Sequence, residues 1–131
     1  MSKHILVIDD EEAVRKSFIL ALKKTGYTVD TASNGREGLD LFMKKGYDLI
    51  YLDLKMPIMT GAEVLMKIRE KDKAVPIYIV TAFHQEFFDQ LKDARKAGAD
   101  FELLMKPIGI EQIRTITEGI LEGELILEGD G

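Results

Sequence analysis

The sequence has no cysteine and no tryptophan, and only three prolines and two histidines among its 131 residues. Without cysteine there is no disulfide scaffold, no thiolate metal site and no cysteine nucleophile. Such a chain suits a reducing compartment. Long hydrophobic runs are missing too. The amino terminus offers Ile5, Leu6, Val7 and Ile8 before two aspartates, where a signal-peptide core needs roughly 7–15 apolar residues. The longest uncharged run, residues 74–85, is broken by Pro76 and is about half of what a bilayer span requires. An excess of positive charge is also lacking: 23 acidic residues face 18 basic ones, a net charge of −5. That excludes a domain-wide basic surface for nucleic acid. These absences predict a soluble, cytoplasmic protein with neither a membrane nor a nucleic acid as direct partner.

With 46% apolar and 31% charged residues, neither disorder nor a coiled coil fits. The length suits one domain, which buries roughly 65–70% of its unfolded-chain surface. We expect that domain over residues 1–122, with a tail or linker stub over 123–131. Short apolar runs at 5–8, 27–32, 49–52, 77–80 and 101–105 read as strands covered on both faces of a parallel sheet. Between them lie segments of helical period. The first is marked by Val14, Phe18, Ala21 and Leu22, with Gly26 beyond; the second by Leu39, Phe42 and Met43, with Gly46 beyond. Val64, Leu65 and Ile68 mark the third, and Phe87, Phe88, Leu91 and Ala94 the fourth, with Gly98 beyond. The fifth carries Ile110, Ile113, Ile116, Thr117 and Ile120. Five strand–helix units predict an α/β, flavodoxin-like (βα)5 three-layer sandwich with a five-stranded parallel sheet of order 2-1-3-4-5. In such sheets the site lies beyond the carboxyl ends of the strands, where the strand order reverses.

Those ends carry Asp9, Asp10, Glu11 and Glu12 after strand 1, and Asp53 after strand 3. Thr81 ends strand 4, and Lys106 followed by Pro107 ends strand 5. Taken singly, each has a simpler explanation. Asp9 or Asp10 would cap helix 1, Asp53 would serve a turn, and a threonine or lysine there means little. In combination the simpler explanation fails, because a third carboxylate on a neighbouring tip adds only repulsion. A divalent cation relieves it. Oxygen-only ligands select a hard ion, Mg2+ by default. Asp10 and Asp53 would ligate it directly, Asp9 through water, and the backbone carbonyl of Lys55 would fill another position.

In these residues the sequence resembles a two-component response-regulator receiver domain over about residues 3–121. The likeness is carried by Asp9–Asp10, by Asp53 within YLDLKMPIMTG, by Thr81 within VTA and by Lys106 within MKP. It implies that Asp53 accepts a phosphoryl group from a phosphohistidine on a sensor histidine kinase or histidine phosphotransfer protein. It also implies that Thr81 and Lys106 contact that group, and that the Lys106–Pro107 bond is cis. A carboxylate is a usable nucleophile when a metal orients it and neutralises the incoming group. The family's output face, formed by helix 4, strand 5 and helix 5, is also where a second copy would pair. The protein is expected to be no enzyme beyond catalysing its own phosphorylation and dephosphorylation.

Two features depart from the family. Three residues before the lysine, where the family usually carries Tyr or Phe, stands Leu103, and the segment from Gly98 to Lys106 is one residue longer than usual. Either a bulge in strand 5 lets Phe101 take the aromatic role, or that part of the switch is missing. The interval from Thr81 to Lys106 is also long, which predicts an extended or displaced helix 4. Of the histidines, His4 reads as edge packing and His84 as a solvated loop residue. Lys55 and Phe83 border the approach path of a hydrolytic water and offer it no base, which predicts slow loss of the phosphoryl group. The runner-up function is a small Mg2+-dependent aspartyl-phosphate hydrolase of a related α/β fold. A haloacid-dehalogenase-like enzyme, however, needs an Asp-x-Asp pair and a capping insertion, and this chain has neither. A flavin-binding protein would want hydroxyl and glycine donors after strand 1, where this chain has four acidic residues in a row.

Overall fold

A computed structural model describes residues 2–82 and 85–123. Strands and helices alternate: β1 His4–Ile8, α1 Glu12–Ala21, β2 Thr28–Ala32, α2 Gly35–Lys44, β3 Leu49–Leu52, α3 Gly61–Lys71, β4 Ile77–Thr81, α4 Gln85–Lys96, β5 Glu102–Met105 and α5 Ile110–Leu121. The sheet is parallel throughout, with strand order β2-β1-β3-β4-β5. This is the predicted architecture.

The apolar runs exist because both sheet faces are covered. Leu6, Ile8, Ile50, Leu52, Ile77 and Ile79 share one core with Leu39 of α2, with Val64, Leu65 and Ile68 of α3, and with Leu91 and Ala94 of α4. Their strand neighbours Ile5, Val7, Leu49, Tyr51 and Val80 share the other with Phe18 and Ala21 of α1 and Ile113 of α5. Successive strand residues thus alternate between two cores, which a period-2 ladder dictates. Within the second core, Phe18 and Tyr51 stack with ring centroids 4.7 Å apart. There Tyr51 shares a buried hydrogen bond of 2.7 Å with the Thr117 hydroxyl, joining β3 to α5.

Local signals set the helix starts. Asn34 accepts from the Glu37 N–H, and Thr60 and Glu63 form a reciprocal capping box. Gly26 and Gly98 follow α1 and α4 at φ of 88° and 91°.

Three expectations need correction, and one of the two alternatives for strand 5 is excluded. Strand 5 was expected to be covered on both faces, yet Leu103 and Met105 are each 41% exposed. Among the described residues β5 is an edge strand paired only with β4, and α4 leans more on α3 than on β5. Phe101 stands just before β5 rather than within it, as Tyr27 does before β2. No bulge interrupts β5, whose register runs unbroken from Tyr78↔Glu102 to Thr81↔Met105. Met43 and Ile110 lie on exposed flanks of their helices, 50% and 37% exposed, so the helical spacing that marked them does not bring them into a core.

Candidate functional site

Backbone bonds beyond the strand ends align the tips that carry the chemistry. The Asp9 N–H donates to the Ala32 carbonyl at 3.0 Å, the Asp53 N–H to the Ile8 carbonyl at 2.8 Å, and the Lys106 N–H to the Thr81 carbonyl at 2.9 Å. Ladder geometry therefore delivers residues distant in sequence to one end of the sheet. Gly61 lets the chain return closely here, since a Cβ at that position would lie 2.2 Å from the Asp53 carbonyl oxygen.

Asp9 and Asp53 are buried, at 3% and 5% exposure, while Asp10 is exposed. One carboxylate oxygen from each lies within 4.8 Å of those of the other two. The adjoining cavity is lined by Asp10, Glu11, Asp53, Lys55, Thr81 and Lys106, with Met56, Pro57 and Phe87 as its apolar wall. Asp9, Asp10, Asp53, Lys55, Thr81 and Lys106 all border this cavity or belong to the carboxylate cluster. Phe83 and His84 lie outside the described residues.

Among the described residues, Lys106 is the cation that pairs with the carboxylates. Its ammonium stands 3.0 Å from Asp9, 2.9 Å from Glu11 and 3.6 Å from Asp53. Burial drives the Asp53 carboxyl up to about 7, aided by the charge of Asp9 and opposed by Lys106 and by the Leu54 N–H at 2.9 Å. Burial also raises Asp9, against the Glu11 N–H and Lys106. For Lys106 burial acts downward, but the Glu11 hydrogen bond and the charges of Asp53 and Asp9 lift it above its ordinary value. The Thr81 side chain is buried at the cavity edge, and its hydroxyl donates to the Ala82 carbonyl at 3.1 Å. The Lys106–Pro107 bond is cis.

The capping explanation for Asp9 holds only in part. Its Oδ1 does accept the Glu11 N–H at the start of α1, while its Oδ2 faces Lys106. Sequence reading missed the contact of Glu11 with Lys106. Its only trace was one more acid directly after the pair. Chemically the arrangement is a floor of three oxygen-donor side chains beside an ammonium and a hydroxyl, suited to a hard cation and a phosphoryl group.

A family model described as the response regulator receiver domain matches residues 5–118. The chain belongs to that family. As a receiver domain, it is the phosphoryl-accepting module of a two-component system. It is 32% identical over 114 residues to sporulation initiation phosphotransferase F of Bacillus subtilis (strain 168), covering 87% of this chain and 90% of that protein. It is 35% identical over 113 residues to YkoG of the same organism, an uncharacterised transcriptional regulatory protein, covering 84% of this chain but 47% of YkoG. The receiver domain thus spans about half the length of such regulators. Among solved structures, the response regulator TrrA of Thermotoga maritima, in complex with Mg2+ and BeF, superposes with a TM-score of 0.74 at 35% identity, covering 90% of this chain and 98% of that one. None of the described helices is long and apolar enough to cross a membrane.

Proposed function

We propose that this receiver domain takes a phosphoryl group onto Asp53 from the phosphohistidine of a sensor histidine kinase or a histidine phosphotransfer protein. In response it alters the α4–β5–α5 surface that it presents to its next partner, which includes a second copy of itself. The observation that carries this reading is the buried Asp53 carboxylate, set at the β3 tip between the Lys106 ammonium and the cavity that Thr81 also lines.

The donor set supports Mg2+ as the cation, with Asp10 and Asp53 as direct ligands, Asp9 acting through water and the Lys55 backbone carbonyl as a further ligand. When bound, the cation supplies positive charge where three carboxylates would otherwise repel an incoming phosphoryl group. The Leu54 N–H orients the Asp53 carboxylate through its Oδ1. Lys106 and Thr81 are the donors for the phosphoryl oxygens, so transfer relies on positioning and charge stabilisation. On this reading turnover is confined to the domain's own aspartyl phosphate. The receiver unit covers residues 1–122, with 123–131 as tail or linker, and the protein works in the cytoplasm.

Incubation with Mg2+ and acetyl phosphate, followed by intact mass, tests the assignment. Wild type is expected to gain one phosphoryl group and Asp53→Asn none. Uptake by Asp53→Asn at the wild-type rate would overturn it.

A further inference from the structure

Glu11 occupies an unusual position for a charged residue. It is the N-cap of α1, where a side chain usually accepts the helix's free N–H groups, yet it makes no such bond. Its own N–H is already taken by Asp9 Oδ1 at 2.9 Å. Its carboxylate reaches instead to the Lys106 ammonium at 2.9 Å, across 95 residues of sequence. The same ammonium stands 3.6 Å from Asp53, beyond hydrogen-bond range. Asp9, its side chain 4% exposed, holds the same ammonium at 3.0 Å, and that of Glu11 is 59% exposed, so Lys106 is strung between the floor at Asp9 and the mouth at Glu11 while standing off Asp53.

We propose that Glu11 is a positioning residue for phosphoryl uptake: with Asp9 it holds Lys106 off Asp53 until an incoming phosphoryl group draws the ammonium inward. This rests on Asp53 being the acceptor. In transfer from acetyl phosphate, an Asp53 carboxylate oxygen bonds to phosphorus while the P–O bond to the acetyl group breaks. Acetate leaves with the bonding pair, and Asp53 becomes an acyl phosphate. An ammonium has three donors, two of them engaged by Asp9 and Glu11; moving it inward onto the phosphoryl oxygens stretches the Glu11 contact, so the resting pair opposes the step. Because Glu11 is largely solvated, the effect is modest, about two- to fivefold in rate.

The test compares wild type, Glu11→Gln and Glu11→Asp for the initial rate of phosphorylation by intact mass, in saturating Mg2+ and acetyl phosphate. Aspartate keeps the charge and caps a helix well, but it is one methylene short of the ammonium. Both variants are expected to take up phosphate about two- to fivefold faster than wild type. In a Lys106→Ala background Glu11→Asp is expected to change nothing, a non-additivity that a general loss of structure would not produce. If Glu11→Asp matches wild type while Glu11→Gln is faster, charge at the mouth rather than the contact sets the rate, and the proposal falls. An equal effect of Glu11→Asp with and without Lys106 also overturns it. Phosphate appearing on Asp53→Asn would instead strike at the acceptor assignment, so the two failures are distinguishable.

Discussion

Asp53 is held in a setting that resists its ionisation, and this has a signed consequence for stability. Its folded pKa, raised to about 7, lies above the ordinary carboxylate value of about 4. Below the unfolded value both states are protonated and the full stability is present. As pH rises toward 7 the unfolded chain ionises while the folded one resists, so metal-free stability falls across that window, by a few kcal/mol at most. Asp53→Asn is expected to lose most of this slope and to melt higher than wild type at neutral pH in chelator. Thermal melts in chelator at several pH values check both points, and Asp9, also raised by burial, leaves a smaller slope behind. Lys55 lines the same cavity. A charged lysine there cannot take a proton from a hydrolytic water, so Lys55→Asn is expected to lose the phosphoryl group several times faster than wild type. Mass-resolved decay after donor removal measures it; equal decay would show that Lys55 does not limit access.

Between elements, the buried Tyr51–Thr117 hydrogen bond joins the strand bearing Asp53 to α5. Thr117→Val leaves the Tyr51 hydroxyl without a partner in a closed core and is expected to cost about 1–3 kcal/mol. Adding Tyr51→Phe removes the stranded group, so the double variant is expected to recover part of that loss in denaturant melts. At the other edge, Leu103 occupies the usual aromatic position and is exposed, while Phe101 is buried beneath the Arg95 guanidinium, 4.2 Å from its ring centroid. Arg95 also donates to the Phe101 carbonyl at 3.0 Å. A ring pinned in this way serves packing, so Thr81→Ala is expected to abolish the phosphorylation-dependent change in α4 and Phe101→Leu to leave it largely intact. Hydrogen exchange with and without a phosphoryl mimic checks this; loss of the response in Phe101→Leu would make Phe101 the switch ring. Much of this element pattern was legible in the sequence, because a doubly covered strand such as residues 49–52 is apolar at every position. The same rule misled at β5, where Leu103 and Met105 are apolar without cover, since an edge position leaves no mark in composition. The gathering of Asp9, Asp10, Asp53, Thr81 and Lys106 was legible because they stand at the tips of four strands, β1, β3, β4 and β5. The bond from Glu11 to Lys106 was not, because it depends on a side-chain direction that no periodicity encodes.

For the whole molecule, the carboxylate cluster sits in a chain whose net charge is already −5. A cation bound only by the folded state stabilises it in proportion to the logarithm of its concentration. Mg2+ is therefore expected to raise the melting temperature of wild type by several degrees, and that of Asp53→Asn by clearly less. Equal shifts in the two proteins would place the ion elsewhere. The alignment of Asp9, Asp53 and Lys106 along neighbouring strand tips also bears on how the protein is made. All three carboxylates are synthesised by residue 53, but the ammonium that pairs with Asp9 and stands beside Asp53 comes from residue 106, directly after the last strand. A nascent chain that has not yet released its final strand carries the acidic cluster without its protein counter-charge. The charge that answers the acidic residues of the first strands is thus supplied by the last one.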